Sequence, residues 1–307
     1  MHAPALPSTV RVIVRDWLNA NNILLRQPGF NVVVDTGYVS HAFDTLALLR
    51  RPQHLGGDRL DLVVNTHCHS DHMGGNALLA RTYGCPVAVP EREAMLIRAW
   101  DTRGLWLDFT DQRAERFAVA QDLRAGERYR WGELCWEAIE APGHDPGALV
   151  FYCEEARLLI SGDALWQSGF GVVLPDQPDG LSGARKTLEC IAALDVDVVI
   201  PGHGHPFTDV ASAVDRCLKR VAAFEENPER LARHALKVML VFTLLDRGRL
   251  PLSTLPNYLD EVPVYREYNR AYLSLTPQAL AELLVGDLER AGAVERCGRF
   301  LIPAKAK

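Results

Sequence analysis

The sequence predicts an α/β chain built in layers, followed by a mostly helical C-terminal extension. Three observations carry this reading. Short β-rich runs alternate with helix-like stretches through the first 209 of 307 residues. Several of those runs are continuously apolar, as strands buried on both faces are. Beyond residue 209 the alternation stops and long helical patterns take over. With 48% apolar residues the chain can bury a substantial core, and its length suits one large domain or two ordinary ones. We divide it into a body, 1–209, and an extension, 210–307.

The strands are expected at RVIV (11–14), NNILL (21–25), NVVVD (31–35), DLVVN (61–65), PVAVP (86–90), LCWEAIEA (134–141), ALVFYC (148–153), RLLISG (157–162) and DVVIPG (197–202). Helical patterns fall between them, at about 43–51, 75–83, 91–100 and 182–194, the last with Ser182 as its N-cap. Residues 101–121, DTRGLWLDFTDQRAERFAVAQ, mix aromatics with many charges. They form either a lid over a site or an ordinary helical insertion.

The extension opens with a mostly helical run, 210–248, then a stretch rich in turn signals, RLPLSTLPNYLDEVPVYREYN. Thr276 as N-cap and Pro277 at the first helical position begin an amphipathic helix. A turn near Gly292 follows, then two strand-like pieces around Cys297-Gly298. Helix followed by hairpin suggests a winged-helix-like ending, with a plain helical extension as the alternative.

The bulk numbers bound the function. The formal net charge is −6 and unevenly spread: residues 1–209 carry 18 Lys/Arg against 27 Asp/Glu, and residues 210–307 carry 15 against 12. An acidic body disfavours indiscriminate nucleic-acid binding, and it would need local positive charge, such as metal ions, to attract an anion. The seven cysteines are scattered with no CxxC pair, which reads as reduced thiols. No stretch reaches the roughly 18 apolar residues needed to cross a bilayer. Arg11, Arg15 and Asp16 interrupt any signal-like apolar run, so a cytoplasmic location is expected.

The chemistry concentrates in NTHCHSDHMGG, residues 65–75, directly after an apolar strand. If residues 67–71 stay extended, His67, His69 and Asp71 point one way, and Cys68 and Ser70 the other. Cys68 is therefore not expected to be a ligand. His72 follows at the turn into a helix, and Gly74 and Gly75 let the backbone bend. Three more metal-capable side chains sit at strand ends among small residues: His144 in APGHDPG, Asp163 in ISGDALW and His203 in VVIPGHGHP. Ligands can converge there while the strands stay rigid.

HxHxDH, a lone His, an Asp after an apolar strand and a late Gly-His resemble the metallo-β-lactamase superfamily, and VVVDTG (32–37) resembles its early strand-turn segment. The similarity covers about residues 10–209. It implies an αββα metallo-β-lactamase sandwich with the site at one edge between two sheets. It also implies that His67, His69 and His144 hold one metal, that Asp71, His72 and His203 hold a second, and that Asp163 bridges them. The donors suit two divalent ions, zinc first, with iron or manganese also compatible. Two such ions activate a shared water as hydroxide, and Asp71 is the expected catalytic orienter of that nucleophile. Asp35 either holds a ligand histidine in the right tautomer or simply forms the turn before Gly37, and the turn reading is preferred. His205 is not counted as a ligand, and His2, His41, His54 and His234 have no motif context.

The bridging aspartate resembles the glyoxalase II, lactonase, thioesterase and nucleic-acid-processing branches more than true β-lactamases. The expected activity is hydrolysis of an ester or thioester in a small acyl substrate. Trp166, Phe170, Trp106 and Trp100 are candidates to line an acyl pocket, with core packing as the alternative for each. A nuclease on single-stranded RNA or DNA is the alternative, disfavoured by the absence of a concentrated basic patch. A ligand-binding or signalling member with little turnover is a further one. No membrane partner is expected, and the apolar extension could serve a homodimer.

Overall fold

All nine expected strands form in the computed structural model, which describes residues 4–304. The first sheet holds β1 (Val10–Ile13), β2 (Asn22–Gln27), β3 (Phe30–Val34), β4 (Leu62–Val64), β5 (Val87–Pro90) and β6 (Gln121–Leu123), in that spatial order. β1 to β3 run antiparallel, and β3 to β6 parallel. The second sheet holds β7 (Arg128–Trp131), β8 (Leu134–Glu140), β9 (Leu149–Cys153), β10 (Leu158–Gly162) and β11 (Val198–Pro201). Its order is β11-β10-β9-β8-β7, with only β10 and β11 parallel.

The pleat decides the layers, because alternate side chains face opposite sides of a strand. Ile23, Leu25, Val32, Val34 and Val64 face inward and meet Trp136, Phe151, Ile160 and Ile200 of the second sheet. Their neighbours Leu24, Val33, Val63 and Val89 face out. There they meet α1 (Ala42–Leu49), α3 (Asn76–Tyr83) and α4 (Glu91–Ala99), with the one-turn α2 (Ser70–Met73) between α1 and α3. A further one-turn helix, α5 (Leu107–Thr110), lies in segment 101–121. On the other side, α6 (Gly180–Ala193) and α7 (Val210–Glu225) bury Leu188, Ile191, Cys217 and Val221 against Val150, Leu159 and Val199. The result is the αββα sandwich that the resemblance implies.

α7, the first helix past residue 209, packs on the sandwich, and α8 (Pro228–Arg247) follows it. Asn227 caps α8 by accepting from Arg230 N–H, and Gly248 ends it at φ 74°. β12 (Leu250–Pro251), α9 (Leu255–Glu261), α10 (Pro263–Tyr268), α11 (Pro277–Arg290), β13 (Val294–Cys297) and β14 (Phe300–Pro303) follow, with sheet order β12-β14-β13. That succession is winged-helix-like. Its core, including Leu240, Tyr265, Leu284 and Leu301, also takes in Phe109, Val172 and Leu174 from the body. Extension and body therefore share one apolar interior. Truncating a fully buried member such as Leu240 would cost about 2–5 kcal/mol.

Several local expectations are corrected. Asp179, not Ser182, precedes α6, and the Ser182 hydroxyl donates to Asp179 O from within the first turn. The turn-rich stretch 249–269 is mostly α9 and α10, because Pro256 and Pro263 occupy helix starts, where a missing N–H costs nothing. β6 and β7 are additional strands, short and polar enough to carry no strand signal. Thr276 does cap α11, accepting from Ala279 N–H at 3.2 Å. Among the described residues no helix is long and apolar enough to cross a membrane.

Candidate metal centre

The site is assembled from loops that leave the strands at one edge of the sandwich. β4 leads into His67 and His69, and α2 starts at Ser70. Extended backbone therefore ends earlier than the alternation argument assumes, and a helical turn, not strand geometry, presents Asp71 and His72. β8 leads to His144, β10 to Asp163 and β11 to His203. Gly74 and Gly75 do not have positive φ, so they are not there for a sharp bend. A Cβ on Gly74 would strike the backbone of Tyr38 and Val39. Gly202 plays a similar part, since a Cβ there would collide with the Asp163 carboxylate.

These residues converge in two groups. Donor atoms of His67, His69 and His144 lie within 4.8 Å of one another, as do those of Asp71, His72, Asp163 and His203. Asp163 joins the groups, its oxygens 3.3 Å from His72 Nε2, 3.5 Å from His144 Nε2 and 3.7 Å from His203 Nε2. All seven are buried or nearly so. His203 Nε2 is 3.0 Å from Asp71 Oδ2.

Their partners fix where the lone pairs point. The Asp35 carboxylate only accepts, so His72 Nδ1–H donates to it at 2.9 Å. Val172 O likewise accepts from His144 Nδ1–H at 2.5 Å. The Thr66 hydroxyl donates to Asp35 at 2.8 Å, so its oxygen accepts from His67 Nδ1–H at 3.1 Å. When neutral, each of these rings therefore turns the lone pair of its Nε2 to the centre. His67 Nε2 and His72 Nε2 are buried there without any hydrogen-bond partner, and His69 Nδ1 faces His144 Nε2 at 2.7 Å. Unpaired lone pairs and carboxylates buried together fit cations at this place.

Electrostatics keep His67 and His144 unprotonated, whereas His72, among three carboxylates, favours a proton that a bound cation would displace. Burial and the neighbouring imidazoles hold His67 well below the usual histidine range, and burial beside His69 brings His144 to about 4. Burial alone would lower His72, but Asp163, Asp71 and Asp35 carry it well above that range. Burial opposes ionisation of Asp163, yet His72 and His203 keep its carboxyl well below the usual carboxylate range. Asp71 is lowered against its burial by His72 and His203.

Asp35 is the clearest correction. It sits at φ 58°, in a turn as expected, but its carboxylate also accepts from Thr66 N–H at 2.9 Å and from Asn65 at 3.3 Å, besides Thr66 Oγ1 and His72. It is a buried anchor for the ligand loop. Cys68 is outside both groups, packed against the outer helices, its thiol pushed well up by burial and Glu93. His205 is exposed, His41 meets Asn19 at 2.7 Å, His54 lies apart, and His2 falls outside the described residues.

The aromatics divide. Trp106 stacks on His69, ring centroids 4.7 Å apart, and the Trp166 indole N–H donates to Asp163 at 3.2 Å. Phe170 lines a groove beside the centre, whereas Trp100 packs on Phe117 in the outer core. Segment 101–121 covers the site and is fastened to the extension. Arg113 pairs with Asp246 at 2.7 Å, Asp111 accepts from Tyr258 at 2.9 Å and pairs with Arg247, and Ser70 donates to Gln112. Sequence reasoning missed Trp17, which stacks on His203 at 5.6 Å, and Asp145, 3.4 Å from His69 Nε2. It also missed Glu93, whose carboxyl is held well above the usual range by burial and by Asp145. The one available signal was Asp145 lying next to His144.

The sequence profile of the metallo-β-lactamase superfamily matches residues 15–203, more than half of the chain. The chain belongs to that superfamily. Among its relatives, a "probable metallo-hydrolase" of Methanocaldococcus jannaschii is 28% identical over 185 residues, covering 57% of this chain and 82% of the relative. The hydroxyacylglutathione hydrolase of Brucella ovis is 26% identical over 152 residues, half of each protein. A metallo-β-lactamase family protein of Thermus thermophilus superimposes with a TM-score of 0.56 at 22% identity, covering 97% of this chain and 100% of that one. This last likeness concerns the fold. Membership in the superfamily makes the chain a metallo-hydrolase.

Proposed function

We propose that this metallo-hydrolase cleaves the thioester or ester bond of a small acyl substrate with two divalent cations, zinc being the first choice. The observation that supports it is an apolar groove of about 340 Å³ beside the donor cluster. Trp166, Val172, Val238 and Phe242 line both the groove and the small cavity at His69, Asp71, His144 and Asp163. An apolar arm of such a substrate lying in that groove brings its carbonyl to the centre.

His67, His69 and His144 would hold one cation, Asp71, His72 and His203 the other, with Asp163 between. Bound there, the cations supply Lewis acidity and lower the pKa of water. The Asp71 carboxylate, ionised despite burial, accepts a hydrogen bond from the attacking water and aims it. Trp166 steadies Asp163 through its indole N–H, and Asp35 steadies His72. Trp106 and Trp166 limit access of bulk water. The water oxygen adds to the carbonyl carbon, the carbon–sulfur or carbon–oxygen bond breaks, and the leaving thiol or alcohol departs with a proton from the water.

Initial rates on a panel of thioesters, a lactone and a labelled single-stranded RNA, with Asp163→Ala as control, test the reading. Acyl hydrolysis that disappears in the variant supports it. RNA cleavage with every acyl substrate untouched refutes it.

A further inference from the structure

The groove does not end in solvent. It runs into a second cavity of about 730 Å³ between α7, α8 and α11, and Arg220, His234, Lys237 and Ala291 line both. This cavity is strongly basic: Arg220, Arg230, Arg233, Lys237 and Arg290 line it against only Glu229 and Asp287. Asp287 is already engaged, by Arg233 at 2.6 Å, by Lys237 at 3.6 Å and by Arg290 at 2.5 Å. Arg220 and Arg230 pair with no carboxylate among the described residues, and the Arg220 guanidinium lies over Gly169, three residues from Trp166. The path from the centre is therefore apolar first and cationic at its far end.

Resting on the carbonyl-hydrolysis reading above, we propose that the substrate is an acyl thioester of a phosphorylated, nucleotide-bearing thiol, the class to which acyl-coenzyme A belongs. The acyl group would lie at the centre, the uncharged arm of the thiol along Phe170, Val241 and Phe242, and the phosphates among Arg220, Arg230 and Lys237. Arginine suits such oxygens because its planar donors bind phosphate in pairs. A nucleic-acid strand fits less well, since its charge is continuous while the basic side chains here are confined to one end. The acidic body makes this patch the more distinctive: it is the local positive field that an anionic substrate needs.

The test uses the full-length zinc-loaded protein and two thiols that share the reactive arm, coenzyme A and pantetheine. Pantetheine lacks both phosphates and nucleotide. Calorimetric titration is expected to give coenzyme A an affinity about tenfold or more above pantetheine. Arg220→Glu combined with Arg230→Glu is expected to erase that difference, and Arg220→Lys to keep most of it. A parallel arm compares hydrolysis of hexanoyl-coenzyme A with hexanoyl-N-acetylcysteamine, expecting a higher kcat/KM for the former through a lower KM.

Equal affinities for the two thiols, or an affinity that the double charge reversal does not move, overturn the assignment. So does a single-stranded RNA that binds more tightly than coenzyme A. If coenzyme A binds as expected but neither thioester is cleaved, the hydrolysis reading falls and the binding site stands. If the N-acetylcysteamine thioester is cleaved and coenzyme A confers no advantage, hydrolysis stands and this assignment falls.

Discussion

Asp35→Asn separates two explanations of one residue. As a turn former, Asp35 needs only to occupy φ 58°, which asparagine does readily. As an anchor, it needs a carboxylate, because His72 Nδ1–H, Thr66 N–H and the Thr66 hydroxyl all donate to it within 2.9 Å. An amide offers one acceptor oxygen and places N–H groups against at least one of these donors. Losing one charge-assisted hydrogen bond and leaving its buried donor unmet costs about 1–3 kcal/mol. Outer partners of metal-ligating histidines, when removed, typically cost about 10–100-fold in metal affinity. We therefore expect Asp35→Asn to weaken binding of the cation that His72 would hold by about that factor and to lower stability by about 2 kcal/mol. Competition with a chromophoric chelator gives the first quantity and urea unfolding the second. Asp35→Ala should be worse, because alanine adds the left-handed backbone cost of about 1–2 kcal/mol. If Asp35→Asn binds added zinc with the affinity of the wild type, the anchoring argument is wrong and Asp35 is only a turn residue.

Other outcomes follow from the same geometry. Trp166→Phe keeps the apolar wall but deletes the indole hydrogen bond to Asp163, so kcat should fall about tenfold with KM little changed. A higher KM with kcat intact would confine Trp166 to substrate packing. Removing metal with a chelator should lower the unfolding temperature, with recovery on adding zinc, because His67 Nε2 and His72 Nε2 are otherwise buried without partners. An unchanged melting curve would disconnect these donors from any cation. His234 is held at about 4, below its ordinary 6.5, by burial and by Arg220, Lys237 and Arg230. Between those values the unfolded chain takes a proton that the folded chain refuses, so stability is lost as pH falls from about 6.5 to about 4. The loss is on the order of 3 kcal/mol. Compared with His234→Phe by denaturant unfolding across this window, the wild type should lose ground steadily toward low pH, and a constant difference would contradict the shift.

The seven donor residues that converge could be read from the chain because each is either in one short motif or near the end of an apolar strand. Strand ends at one edge of a sandwich come together in space whatever the intervening sequence does. Residues that act through another residue left no such mark. Glu93 looks like a solvent-facing charge on α4 until folding brings it beside Asp145. Trp17 sits in a loop with no periodicity, and its meeting with His203 depends on Asn21, whose side chain donates to Pro201 O and Gly204 O. Asp35 is visible in the sequence as a turn residue but not as an anchor, because its partners Thr66 and His72 lie more than 30 residues on. In the stretch 249–269, Pro256 and Pro263 read as turn residues yet serve as helix starts, as Pro277 does. The basic cavity is hidden for a related reason. Arg220, Arg230 and Arg290 are separated in sequence and become neighbours only when α7, α8 and α11 pack.

The groove wall contributed by α8 has a consequence for how such a protein changes over generations. Val238, Val241, Phe242 and Leu245 shape the groove, yet none of them holds a donor of the centre, and all lie beyond the last of its seven residues. Exposure to the groove leaves these positions free to vary in size without disturbing the loops that gather the histidines. A duplicated copy could therefore take a different occupant in the groove through a few replacements along one helix while inheriting the donor cluster intact. On the α8 side of the groove, variation in shape and the gathering of the donors are written in separate parts of the chain.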